Sequence, residues 1–354
     1  MKKLTGLLLV ILLFVIILSG CSGNTGKDSG SDTAVITQSP SETAEVEEEA
    51  VVQEEQDLED TEVEESAWPR TYVDSLGHEV TLEKQPERII SVFHAMYPDY
   101  LYALGSYPLG AAMADNLLNQ WAAYKNFTTV NAAVDIGAPA SPNLEKILEL
   151  EPDLIIGAAL NADIYDDLAK IAPTVILDYA SINKDRVYGL EQFAILLGKE
   201  DKVAEVVADI ENSIQSGVEQ LQDFKAKEES VIFISITDKD IWPYTTAQLN
   251  VIYSEEDGLG LLAPEGYAEV TDGSTALSLE AMAEYNPDHI FLMTDYGDDT
   301  AKQWVEELTS NSVWSSITAV QEGNIYFTDR SIFAFNSPIA TQYGIGFVVE
   351  SLTE

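Results

Sequence analysis

Short apolar runs alternate with helical-period segments along most of this chain, and the alternation is interrupted once. The runs Arg88–Phe93, Leu109–Met113, Asp153–Gly157 and Thr174–Leu177 are separated by Pro98–Leu104, Asn143–Leu150 and Ile164–Ile171, and Val187–Leu197 follows the last of them. Strands alternating with helices predict parallel βα units whose functional loops sit at the carboxyl ends of the strands. Between Asp201 and Lys227 the pattern changes. Val203, Val206, Val207, Ile210, Ile214, Val218 and Leu221 recur mostly at spacings of three and four, with no proline and one glycine. That spacing predicts one amphipathic helix of about 27 residues, or about 40 Å at 1.5 Å per residue. The alternation then restarts at Val231–Ile236, continues through His289–Thr294 and Ile325–Thr328, and closes on a helix from Pro338 to Leu352. Two α/β lobes joined by one long helix are the expected architecture. A hairpin, Thr71–Asp74 with Glu79–Leu82 about Ser75-Leu76-Gly77, precedes them.

A weak internal repeat supports the two lobes. The segment beginning Leu144-Glu145 and ending Glu151-Pro152-Asp153-Leu154-Ile155 aligns without gaps with Leu279-Glu280 through Asn286-Pro287-Asp288-His289-Ile290. Each copy reads as a short helix stopped by proline and followed by a buried strand. Any helix–Pro-Asp–strand unit would look similar, but one copy stands on each side of the long helix.

The amino terminus has another character. Lys2 and Lys3 precede an apolar run from Leu7 to Leu18, followed by Ser19, Gly20 and Cys21. This is the charged start, apolar middle and small-residue exit of a secretory signal, too short for a comfortable membrane span of about 20 residues. Leu18-Ser19-Gly20-Cys21 resembles the lipobox of bacterial lipoproteins, which implies cleavage before Cys21 and a lipid on its thiol. The alternative is an uncleaved signal anchor, yet the chain's single cysteine falls where a lipobox requires one. Residues 28–65 then hold 15 of the 61 acidic side chains and no basic one. Such a segment cannot bury enough apolar surface to offset its ordering entropy, so it reads as an extended tether, with a cation- or partner-binding tail as the alternative. The expected divisions are a signal peptide at 1–20, a lipidated acidic linker at 21–66, a first lobe at 67–200, the joining helix at 201–227 and a second lobe at 228–354.

Charge and composition exclude several functions. With 18 Lys+Arg against the 61 acids the net charge is −43, so a nucleic-acid role is excluded and general docking to anionic lipid is disfavoured. One cysteine permits no intramolecular disulfide and no thiolate metal cage, and His78, His94 and His289 are the only histidines. A glycine-rich phosphate loop, a Gly-x-Ser-x-Gly elbow and a His-Glu-x-x-His pair are all missing from the sequence, so an enzyme is not expected and no cofactor is predicted. An adhesive surface protein would show repeats of 20–50 residues or long β patterning, and neither is present.

Taken together these features resemble the substrate-binding proteins of bacterial ABC importers for ferric siderophores, haem and cobalamin. The resemblance covers about residues 70–352. It rests on Pro86-Glu87-Arg88-Ile89-Ile90-Ser91, Ala103-Leu104-Gly105 with Leu109-Gly110, and Ile136-Gly137 through Pro142-Asn143-Leu144-Glu145. It continues in Glu151-Pro152-Asp153-Leu154-Ile155-Ile156, Ala172-Pro173-Thr174 and Leu196-Leu197-Gly198-Lys199-Glu200, with looser matches at Leu279-Glu280, Pro287-Asp288 and Gly323-Asn324-Ile325-Tyr326. The resemblance implies ligand held in a cleft between the lobes, a lipid-anchored protein on the outer face of the cell membrane, and a monomer that delivers its cargo to the permease subunits. It also implies that a glutamate on each lobe engages the permease, and Glu145 and Glu280 occupy those motif positions. As ordinary helix-start acids they would instead favour the helix dipole by about 0.3–1 kcal/mol.

The strand ends suggest which residues meet the ligand. In the first lobe these are Phe93-His94-Ala95-Met96-Tyr97, Met113–Asn116, Ala138–Ser141 and Ala159–Asn161. In the second they are Trp242-Pro243-Tyr244 with Gln248, Thr294-Asp295-Tyr296, and Arg330 with Phe333 and Phe335. Aromatic side chains on loops offer flat apolar surface with a polar edge, which suits a bulky chelate, although core packing explains Phe93, Phe333 and Phe335 equally well. Trp242 reads as a loop residue. Arg330, one of four arginines, could pair with ligand oxygens or with a nearby acid. His94 could ligate haem iron or simply hydrogen-bond. A ferric tris-catecholate would need a cluster of cations, and only Arg186, Lys239 and Arg330 are candidates, so a nearly neutral ferric hydroxamate is the favoured ligand, with haem or cobalamin as the alternative. Its contacts are expected from Trp242, Tyr244, Arg330, His94, Tyr97, Tyr296 and Phe333, the iron being held by the siderophore rather than by the protein.

Overall fold

The computed structural model describes residues 68–237, 240–294, 299–333 and 336–354, all within one compact unit. Cys21, the signal segment, the acidic tail, Lys239, Tyr296 and Phe335 lie outside the described residues.

The first sheet runs in the order Val134–Asp135, Gly110–Ala111, Ile89–Ser91, Leu154–Ala158, Thr174–Leu177, with every neighbour parallel. Every residue of the last three strands is buried, which is why they read as unbroken apolar runs rather than as alternating ones. Gly110 has no room for a side chain. A Cβ there would lie 2.9 Å from Leu150 Cδ1 and 3.0 Å from Ile90 Cδ1. The hairpin forms, its first strand at Arg70–Val73 rather than Thr71–Asp74 because Asp74 belongs to the turn, and it is tied to this sheet by Asp74, whose carboxylate accepts from the N–H groups of Leu76, His78 and Ile176.

The second sheet has the order Asp240–Pro243, Val231–Thr237, His289–Thr294, Ile325–Asp329, parallel except for the first strand, which folds back on Val231–Thr237. The repeat has a structural meaning. Asn143 and Ser278 cap their helices by accepting from Lys146 N–H (3.0 Å) and Ala281 N–H (3.1 Å). The aspartate after each proline then clamps the chain entering its own sheet. Asp153 accepts from Glu87 and Arg88 N–H, while Asp288 accepts from Ser230 N–H at 2.7 Å and Ser230 Oγ at 2.8 Å.

The joining helix covers Val203–Gln220 and is preceded by a 3-10 turn at Glu200–Lys202. Its first half packs Val206 and Ile210 into the first core; Ile214 touches both cores and Val218 the second. It does not run unbroken to Lys227. Leu221 leaves helical geometry (φ −88, ψ 7) before a short helix at Gln222–Lys225, and this bend turns Leu221 and Phe224 into the second core. Burial of two large side chains outweighs continuity of the helical ladder.

The closing helix, Pro338–Thr353, packs on the joining helix and on Met96–Ala103 of the first lobe. The crossing is close at Gly217. A Cβ at that position would sit 2.6 Å from Leu259 Cδ2 and 3.2 Å from Val349 Cγ2, both in the second core. Gly217→Val is therefore expected to lower the urea unfolding free energy by about 1–3 kcal/mol through overpacking, even though valine is the better helix former. An unchanged midpoint would show that the two helices separate freely.

Candidate functional site

Parallel strands send their carboxyl ends to one edge of each sheet, and the loops leaving those edges carry the candidate residues. From Ile89–Ser91 the chain passes through Phe93 and His94 into the helix Met96–Ala103. From Thr174–Leu177 it passes through Asp178, whose side chain accepts from Ala180 and Ser181 N–H, into the helix Tyr179–Lys184. The rings converge there. Phe93 and His94 centroids are 3.8 Å apart, and Tyr179 meets both edge-on at 5.1 and 5.6 Å. Only His94 and Tyr179 keep exposed surface. Burial pulls the His94 pKa down to about 4, so its imidazole is neutral at pH 7.

Tyr97 is a core residue. It is fully buried, packs against Phe93 and Phe193, and donates its hydroxyl to the Leu177 carbonyl at 3.3 Å. The helix begins at Met96, so Tyr97 falls on the inward face with Tyr100, Leu101 and Leu104, and it presents nothing to a ligand. Asn161 is also engaged internally, accepting from Ala158 N–H and donating to the Pro139 carbonyl.

In the second lobe Trp242 is on a strand rather than in a loop. It lies on the edge strand Asp240–Pro243, opposite Ser235, where Pro243 is tolerated because an edge needs fewer ladder donors. Ile241 and Pro243 are buried, and the half-exposed Trp242 points to the other face. Tyr244 continues the ladder through its N–H to the Phe233 carbonyl at 3.0 Å, so it shares the face of Trp242. The Tyr244 hydroxyl is buried with no hydrogen-bond partner among the described residues.

Arg330 N–H donates to the Thr294 carbonyl at 2.9 Å, which holds the ends of two adjacent strands together, and its side chain is half-buried. Phe333 is nearly buried and adopts φ 54, uncommon for a bulky side chain. Its ring stands edge-on to Phe233 at 5.8 Å and presses on Gly344, where a Cβ would come within 2.6 Å. Packing thus holds the strained backbone and leaves Phe333 half wall, half core.

Between the lobes lies a hollow of about 490 Å³. Asn183, Lys184 and Arg186 line it from the first lobe, and Tyr244, Gln248, Phe333, Asn336 and Asp257 from the second. Arg186 is held in place, donating to Asn336 Oδ1 at 2.7 Å and Thr341 Oγ1 at 3.0 Å. The sequence reading missed Asn183, Asn336 and Tyr179 as site residues. A larger groove of about 640 Å³ follows the joining helix with an apolar floor (Leu190, Ile210, Ile214) and an acidic rim (Glu211, Glu219, Glu255), and no strand-end residue reaches it. Among the described residues no group of three or more His, Cys, Asp or Glu is placed to hold a metal ion.

Glu145 and Glu280 are both exposed, each the second residue of its helix, immediately after the matching caps.

The fold agrees with the comparisons. Residues 90–331 match the profile of the family described as periplasmic binding protein. The chain is 27% identical over 361 residues to the iron(3+)-hydroxamate-binding protein YxeB of Bacillus subtilis, covering 99% of this chain and 97% of that one. It is 30% identical over 285 residues to the iron(3+)-hydroxamate-binding protein FhuD of the same organism, covering 78% and 84%. Among solved structures, a FhuD fold-family periplasmic binding protein component of a ferrichrome ABC transporter from Bacillus subtilis superposes with TM-score 0.65 at 27% identity, over 80% of this chain and all of that one. The matched profile spans more than half of the chain, and the chain belongs to the periplasmic binding protein family.

Proposed function

We propose that this chain is the extracytoplasmic substrate-binding component of an ABC importer, that its cargo is a ferric siderophore, and that the hydroxamate type fits best. The observation that carries the reading is the chemistry of the interlobe hollow. Amides (Asn183, Gln248, Asn336) and Tyr244 line it, Trp242 lies on the same sheet face as Tyr244, and Arg186 is already bonded to Asn336 and Thr341. Amide donors suit the neutral oxygens of a ferric hydroxamate, whereas a tris-catecholate would bring several negative charges against two lining cations, Lys184 and Arg186, of which Arg186 is already engaged and which Asp257 partly offsets. The names of the two relatives, both iron(3+)-hydroxamate-binding proteins, support the same class. Deleting the chain from its native cell should abolish uptake of labelled iron supplied as ferrichrome; undiminished uptake would refute the assignment.

Haem remains a second reading because of His94. An axial ligand must be a neutral imidazole, and burial keeps His94 neutral. Haem binding lost on His94→Ala would favour it.

Relatives named as lipoproteins support a lipid anchor at Cys21. Cys21→Ser should move the protein from the membrane fraction to the soluble fraction while it is still exported. Retention in membranes would contradict the anchor. Glu145 and Glu280 are proposed as the permease contacts.

A further inference from the structure

A buried carboxylate of the first lobe holds the start of the closing helix. Asp99 lies on the first-lobe helix Met96–Ala103, five residues after His94, and is fully buried. Its Oδ1 accepts from Ile339 N–H at 2.8 Å, and its Oδ2 accepts from Ala340 N–H at 2.9 Å and from the Tyr124 hydroxyl at 3.0 Å. The closing helix is thus capped not by its own Ser337 side chain but by a residue of the other lobe. Later turns of that helix, through Ile345, Val348 and Leu352, belong to the second core, while Ile339 packs on a first-lobe cluster. The segment leading into it carries Arg330 and Phe333, and it is fastened to the first lobe at its two ends. Ala122 N–H donates to Asp329, Tyr100 Oη to the Asn336 carbonyl and Arg186 to Asn336 and Thr341.

We propose that Asp99 is a positioning residue for ligand capture: by capping the closing helix across the lobes it fixes the segment carrying Phe333 and Asn336 against the first-lobe wall carrying Asn183 and Arg186. This rests on the cleft being the ligand site, but the pin itself can be read without ligand.

Its charge state adds a signature. Burial raises the Asp99 pKa to about 6, opposed by its backbone and hydroxyl donors. Tyr100 and Tyr102 face it from its own helix, Tyr124 from the turn after Trp121, and Arg186 from the helix Arg186–Leu197, with Asp185 just before that helix. The first turn of the closing helix brings no acid. A carboxylate exposed in an open form would titrate near 4, so the pinned form binds the proton more tightly and gains stability relative to the open form as pH falls from about 6 towards 4. The Tyr124 hydroxyl can then turn to accept from the protonated carboxyl. Acid should tighten the pin.

Pulsed dipolar distances between spin labels at Glu149→Cys and Glu284→Cys, exposed sites on matching helices, test this in the full chain carrying Cys21→Ser. Without ligand, the distribution should narrow between pH 7.5 and pH 5. Asp99→Asn should broaden it and abolish the pH response, and Tyr124→Phe, which keeps the fold and removes one donor to the charged form, should move the midpoint upward. Ferrichrome as probe should dissociate about tenfold faster from Asp99→Asn. A lowered melting temperature with unchanged distances, unchanged pH response and unchanged dissociation would overturn the proposal. If ferrichrome binds none of the chains, the ligand assignment fails while the distances still decide the pin.

Discussion

Replacing Glu145 and Glu280 together by alanine should lower siderophore uptake by about tenfold or more while the affinity for free ligand stays unchanged. Each is exposed on the second residue of a helix whose cap, helix and following Pro-Asp are repeated in the other lobe, so the two carboxylates occupy equivalent places on two equivalent lobes. A pair so placed can meet two related membrane subunits at once. Linked contacts of this kind lose far more together than either loses alone, and removal of a charged contact typically costs 2 kcal/mol or more. Their alternative role, favouring the helix dipole, amounts to about 0.3–1 kcal/mol of stability and would not touch transport. Uptake assays on the two single variants and the double variant, beside calorimetric affinities, separate these possibilities. Equal loss of uptake and affinity would put the glutamates in the ligand site or the fold.

Trp242→Ala should weaken siderophore binding by about 2–4 kcal/mol, or roughly 30-fold or more, because a half-exposed indole on the edge strand offers a ligand a flat apolar face. Tyr244→Phe makes the sharper comparison. Its hydroxyl is buried without a partner among the described residues, and such a group costs stability in the free protein. Phenylalanine should therefore raise the melting temperature of the empty protein while lowering affinity by about 0.5–1.5 kcal/mol, the worth of one hydrogen bond. Stability and affinity moving in opposite directions identify a group kept for ligand rather than for the fold. If both fall together, Tyr244 is structural.

The parallel sheets were legible because Leu154–Ala158 and Thr174–Leu177 are buried on both faces and so appear as unbroken apolar runs. The Pro-Asp repeat was legible because each aspartate performs the same local clamp. Errors arose where a distant partner decided the outcome. Trp242 looked like loop because of Pro243, and only pairing with Ser235 makes it a strand. Tyr97 looked like a strand-end residue, although Met96, Tyr97, Tyr100, Leu101 and Leu104 already show the spacing of an inward helical face. The bend at Leu221 comes from packing in the second core, which helical periodicity does not encode. Asn183 and Asn336 carry no local signal, since what joins them is the 3.3 Å hydrogen bond from Asn336 Nδ2 to the Asn183 carbonyl across the lobes. Asp99 is further still from its partners in sequence: the helix it caps begins at Pro338.

The central claim is that the interlobe hollow takes a nearly neutral ferric hydroxamate. Isothermal titration calorimetry of the purified protein with ferrichrome and with a ferric tris-catecholate, both at about 0.15 M salt to screen long-range charge, tests it directly. The account predicts that ferrichrome binds with a submicromolar dissociation constant and the catecholate at least about 100-fold more weakly, the difference expected for several poorly neutralised charges. Catecholate binding as tight as or tighter than that of ferrichrome would contradict it.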